Sequence, residues 1–255
     1  MRRIPLQMTF LVCPLLVIAA PQDGVKNNVQ PPSVQEQLAR HGIKSDRQSL
    51  IEALRSGDAE VRGLAALMLD GYEFAAIRGD SIPALAEALR TETDPTAASI
   101  MARALGGLGD SRGVPALERM CHDSQLGPSV KVQVARFLLD LHSENCLDDV
   151  LDLAFNGDDS VTLGVLYLLP QFQRFQHISS KDQDRIVEVI RRGLLASSPH
   201  MRLSAAYVRS RMNDGSAATD LQRAIDMELD GTVRDSMRTT LSILQKRTSR
   251  GESGQ

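Results

Sequence analysis

Asp58-Ala59-Glu60-Val61-Arg62 is a phrase that the chain repeats: an acidic or small turn residue, then an apolar–basic pair opening a helical pattern. It returns as Pro128-Ser129-Val130-Lys131, Asp158-Asp159-Ser160-Val161-Thr162, Pro199-His200-Met201-Arg202 and Asp230-Gly231-Thr232-Val233-Arg234, with a blurred copy at Asp94-Pro95-Thr96-Ala97. Counted on the apolar residue, the steps are 36, 33, 31, 40 and 32 residues. A period of this length belongs to stacked helix pairs, each too thin to bury its own apolar face. The phrase therefore predicts an all-α array and moves the default role from catalysis to binding.

Apolar spacing of three and four residues fills in the rest. The pairs fall at 47–55 with 60–73, 81–90 with 96–108, 113–123 with 129–142, 147–155 with 160–172, 181–195 with 199–212 and 217–228 with 232–246. Ser33 can cap a short helix ending before Gly42. Pro83 and Pro115 are read as first-turn residues, where a missing N–H costs little. No stretch shows the alternation of a strand. The widest step contains Gln171 to Ser180, a polar insertion carrying Phe172, Phe175 and His177.

Composition agrees with thin repeats. The 255 residues are 42% hydrophobic but only 4% aromatic, with no Trp, so Leu, Ala, Val and Ile must supply the core. The net charge of −3 lacks the basic footprint of a nucleic-acid binder. The first residues differ: Arg2-Arg3, an apolar run from Met8 to Ala20, and the small-residue site Val17-Ile18-Ala19 form the layout of an export signal. The run is shorter than the roughly 20 residues of a membrane span. The organisation expected is a signal over 1–19, a linker and short helix over 20–45, repeats over 46–246 and a disordered tail over 247–255. The expected location is periplasmic or secreted, with an N-terminally anchored form as the alternative. Val12 stands before Cys13 where a lipoprotein signal needs a small residue.

Removal of the leader leaves Cys121 and Cys146. If helices stack in register, these cysteines sit at opposite ends of neighbouring rungs, on the order of 15 Å apart at 1.5 Å per residue. A disulfide needs Cα atoms within roughly 7 Å. No intramolecular bridge is expected.

Asp-x-x-Val-Arg-x-x-Ala-Ala at 58–66 and Ala-Leu-Gly-Gly-Leu-Gly-Asp-Ser-Arg-Gly-Val-Pro-Ala-Leu at 104–117 resemble HEAT repeats, closest to the bacterial subtype also seen in phycobilisome bilin lyases. The resemblance covers about 47–245 and weakens after the third copy, where Thr162 replaces the basic residue. It implies a right-handed α-solenoid of about six antiparallel helix pairs, of the HEAT-like or armadillo type, with second helices on the concave face. It also implies protein–protein scaffolding far more often than chemistry.

Arg62, Lys131, Arg202 and Arg234 occupy one repeat position. They read as an internal ladder, with Asp58, Asp158 and Asp230 as natural partners at helix starts. Gly106-Gly107-Leu108-Gly109 follows a helical run with no strand before it, so it ends a helix and cradles no phosphate. Cys121-His122 with His142-x-x-x-Cys146 matches no zinc spacing, and neither a metal nor a cofactor is expected. His41, His177 and His200 stand alone near helix ends or loops and read as solvent-facing. Asp148, Asp152, Asp158 and Asp159 read as helix-start and turn acids, so no catalytic group is assigned. A protein or peptide partner is expected on the second-helix face, with Glu60, Gln133, Arg136, Asp140, Arg209 and Arg238 as candidate contacts. The alternatives are a bilin-lyase-like enzyme or cofactor-attachment chaperone, and a structural subunit of an envelope assembly.

Overall fold

A computed structural model describes residues 32–71, 78–172, 178–212 and 215–249. The expected signal and the linker up to residue 31, together with Phe175, His177 and the last six residues of the expected tail, lie outside the described residues. Thirteen helices and no strand occur among those described. A short α1 (Val34–Arg40) precedes six pairs: α2 (Arg47–Ala53) with α3 (Ala59–Leu69), α4 (Arg78–Thr91) with α5 (Pro95–Gly107), and α6 (Gly113–His122) with α7 (Pro128–Asp140). They continue as α8 (Leu147–Asn156) with α9 (Asp159–Phe172), α10 (Ser180–Leu194) with α11 (Pro199–Arg211), and α12 (Ala217–Met227) with α13 (Gly231–Ser249). The molecule is an all-α solenoid.

The repeated phrase is where each second helix begins. Asp58, Asp94 and Asp158 accept hydrogen bonds from N–H groups of their own first turns, at 2.8 to 2.9 Å, and Asp230 does the same for Thr232 and Val233. Such caps satisfy donors that a helix start leaves unpaired. The apolar residue that follows is buried in five of the six copies: Val61, Ala97, Val161, Met201 and Val233. Capping sets the helix start, and the start sets which side chain enters the core.

Gly109 ends α5 in the left-handed conformation (φ +82°), and Asp110 N–H closes onto the Leu105 carbonyl at 2.8 Å. This is the glycine-dependent helix stop anticipated for the glycine run. At Gly113 a Cβ would strike the Gly106 backbone, so α5 and α6 cross at glycine contact distance. Pro83 departs from expectation, because α4 starts at Arg78 and places it inside the helix. The tail departs as well, since α13 remains helical through Ser249. Phe172 is fully buried at the end of α9, which anchors the start of the insertion in the core.

The two helix layers differ. Consecutive second helices pack along the whole array, α3 on α5 through to α11 on α13, whereas first helices touch side by side more sparingly, chiefly α2 with α4 and α8 with α10. The second helices therefore form the more continuously packed layer.

One expectation fails clearly. Cys121 and Cys146 form a disulfide, their Cα atoms 5.9 Å apart. The error lay in assuming that rungs stack in register. His142 turns the chain through a left-handed conformation (φ 61°). Ser143 Oγ and Asn145 Nδ2 then donate to Glu118 Oε1, at 3.0 and 2.6 Å. The loop runs along α6 toward its end, and α8 begins where α6 finishes.

Candidate functional site

The basic residue of the phrase reaches across repeats, but its partner differs from the expected one. Arg62 donates to both oxygens of Glu92 at 2.6 Å and to the Ser56 carbonyl at 2.8 Å. Arg202 repeats this with Glu228, at 2.6 and 2.9 Å, and with the Ala196 carbonyl at 3.0 Å. Each glutamate lies two residues before the capping Asp of the next second helix and accepts that Asp's N–H at 2.9 Å. The glutamate side chains are 1% and 4% exposed. The guanidinium bonds hold both carboxyls below their usual range, against the upward push of burial. Asp58 and Asp230 cap their own helices instead.

Other copies of the ladder vary. Lys131 Nζ stands 3.6 Å from Asp149. Thr162 back-bonds to the Ala154 carbonyl at 3.4 Å. Arg234 donates to the Glu228 carbonyl at 3.1 Å. Three cations of the phrase thus touch the carbonyl six residues back, which fixes them as parts of the stack.

Of the six surface candidates, Arg209 is a correction. It is fully buried, donating to Asp220 at 2.8 Å and to Ser216 at 2.6 Å, while Arg191 reaches the same carboxylate at 3.0 Å. An arginine at helix spacing can look solvent-facing in sequence when an acid on the next helix pairs with it inside. Glu60 is exposed in the first turn of α3. Gln133 is partly buried and donates to Ser99 at 3.0 Å. Arg136 and Asp140 are exposed on α7, with the Arg136 guanidinium 5.3 Å from the centre of the Phe137 ring. Arg238 is exposed and pairs with Asp235 on its own helix at 3.0 Å.

Two exposed second-helix residues, Tyr167 and Tyr207, were not among those candidates. Six positions after the apolar anchor stand Leu67, Arg103, Arg136, Tyr167, Tyr207 and Thr239. Tyr167 is 45% exposed and Tyr207 54%, in a chain with only three tyrosines. The Tyr167 hydroxyl lies 2.9 Å from Ser204 Oγ on α11, one turn before Tyr207. Gly164, three residues before Tyr167, packs toward Val132 of α7 and adds no side chain to the face. The result is two exposed tyrosines on α9 and α11, at the repeat position that Arg136 holds on α7.

Near the N-terminal end the same face is polar and internally satisfied. Arg103 pairs with Asp70 and stands 5.6 Å from the Phe137 ring centre. Burial raises the Asp70 pKa and Asp140 pushes it the same way, while Arg103 opposes both. A cleft of about 470 Å³ lies between α2 and α4, lined by Ile51, Leu54, Ala84 and Ala88. Its acids, Glu87 and Glu92, are already paired with Arg90 and Arg62. Asp148 and Asp152, read as helix-start acids, together hold Arg185 of α10. These carboxylates fasten helices to one another.

An array of capped helix pairs, with Arg62 and Arg202 engaged between rungs and Tyr167 and Tyr207 exposed, defines a helical-repeat protein. Residues 47–128 match the family model of HEAT repeats. Among solved structures, the complex of CpcE and CpcF of phycocyanin lyase from Nostoc sp. PCC7120 is similar at 17% identity and a TM-score of 0.38, covering 89% of this chain and 100% of that one. A likeness at that level assigns no activity to this chain. No curated protein matches the sequence significantly.

Proposed function

We propose that this protein is a non-catalytic scaffold that binds a protein or peptide along its second-helix face, outside the cytoplasm. The observation that carries the reading is the pair Tyr167 and Tyr207 at one repeat position. A buried core would have enclosed these rings, and a purely solvated face would not have selected them. Tyrosine is enriched where partners meet, because it brings large contact area with little rotamer entropy and a polar tip. Arg136, exposed on α7, holds the same repeat position, and arginine shares that enrichment.

The location rests on other observations. The leader pattern at residues 1–19 and the Cys121–Cys146 bond both favour an oxidising compartment. None of the described helices is long and apolar enough to cross a membrane.

Affinity capture from an envelope extract tests the reading, with wild-type protein beside Tyr167→Ala/Tyr207→Ala. Both residues are half-exposed, so the variant is expected to keep its melting temperature within a degree or two and lose the wild-type partner. Retention of that partner by the double variant would remove the groove from the proposal.

A further inference from the structure

The offset that brings α8 to the end of α6 gathers more than two cysteines. His122 follows Cys121 at the C-terminal end of α6, and Asp149 lies one turn into α8 from Cys146. His122 Nδ1 is 2.8 Å from Asp149 Oδ2. The potential ligand atoms of Cys121, His122 and Asp149 all lie within 4.8 Å of one another, and Cys146 Sγ is bonded to Cys121 Sγ. One sulfur, an imidazole nitrogen and a carboxylate oxygen therefore meet at one corner, with the Cys146 sulfur bonded to the first, and two helix ends supply these residues in pairs. His142, the histidine that spacing had offered, is exposed at the start of the loop.

We propose that reduction of the Cys121–Cys146 bond converts this corner into a tetrahedral zinc site ligated by Cys121, Cys146, His122 and Asp149. Two thiolates, an imidazole and a carboxylate match the preferred donors and coordination number of zinc. In the oxidised chain both sulfurs are spent on each other, and His122 and Asp149 alone make a poor site. Reduction by a dithiol transfers two electrons and two protons: the S–S bond breaks, two S–H groups form, and the dithiol leaves as a disulfide. Zinc then displaces the two thiol protons.

Geometry and charge both fit. At about 2.3 Å per Zn–S bond, tetrahedral ligation separates the sulfurs by roughly 3.8 Å, which a 5.9 Å Cα spacing accommodates through side-chain rotation. Two thiolates and a carboxylate around Zn²⁺ leave one negative charge. Lys131 Nζ, 3.6 Å from Asp149 Oδ1 and 12% exposed, supplies the balancing cation. The cysteines are buried and the histidine is largely exposed, so the ion would have an entry path on the imidazole side.

The test uses the full mature chain, anaerobically reduced, with zinc titrated against a chromophoric chelator and cobalt(II) as a spectroscopic substitute. One equivalent should bind to the reduced protein, with thiolate-to-cobalt charge transfer and tetrahedral cobalt bands, and none to the oxidised protein. His122→Ala and Asp149→Ala should each weaken binding on the order of 10- to 100-fold while far-UV circular dichroism stays native. The proposal is overturned if the reduced, folded protein takes up no zinc. It is equally overturned if both variants bind as wild type does, or if binding occurs only with loss of helical signal, since unstructured cysteines would then be the ligands.

Discussion

Arg62 and Glu92 show how much of the stack rests on single side chains. Removing one partner from a buried pair strands the other charge, so Glu92→Ala or Glu228→Ala should each cost roughly 3 kcal/mol in urea unfolding. A double-mutant cycle with Arg62→Ala should show strong coupling. Both glutamates have folded pKa values below their unfolded value of about 4.3. Their contribution is therefore fully present above that pH and is lost as pH falls through the folded values. Glu92→Gln should be less stable at pH 7 and lose less on acidification; an unchanged acid profile would show that this pair is not linked to folding. Asp70 has the opposite sign, because its folded pKa is raised, chiefly by burial. Its contribution is largest below the unfolded value and declines as pH rises through the folded one. The phrase at 58–62 made the cation's structural role legible. It concealed the glutamate, which sits outside the phrase and varies to Ser56 before the first second helix.

At the scale of elements, caps and apolar spacing located every pair, most boundaries falling within one or two residues. Asp and Ser caps act locally and are visible in sequence. The direction of the Leu141–Cys146 loop was not visible, because it depends on a left-handed residue and on two hydrogen bonds to Glu118, 25 and 27 residues away. That loop decides the disulfide. Closing this 25-residue separation should stabilise the chain by about 3 kcal/mol. Reduction without metal should lower the melting temperature by several degrees, and Cys146→Ser should show the same loss without reductant; equal melting of oxidised and reduced chains would contradict this. Gly113→Ala tests the α5–α6 crossing. Its Cβ meets backbone, which cannot move aside as a side chain can, so a loss of about 2 kcal/mol is expected. Wild-type stability would mean the crossing is looser than described.

For the whole molecule, regularity and function separate. What repeats serves the stack: the capping acids start their second helices, and Arg62 and Arg202 join rungs. What varies, position six after the anchor, grades from Leu67 and Arg103 to Tyr167 and Tyr207 along the second-helix layer. Aligning the copies on their apolar anchor would have exposed the two tyrosines in the sequence. Their significance needed the structure, because exposure depends on how the neighbouring helices pack around each position. The central claim is that this face holds a partner protein. Site-specific photo-crosslinking in the producing cells tests it most directly, with the photoreactive residue placed at Tyr207 or, as a control, at exposed Gln222 on α12. The account predicts a discrete adduct from position 207, lost when Tyr167 is also changed to Ala, and none from position 222. An adduct from position 222 alone, or no adduct from position 207, would contradict it.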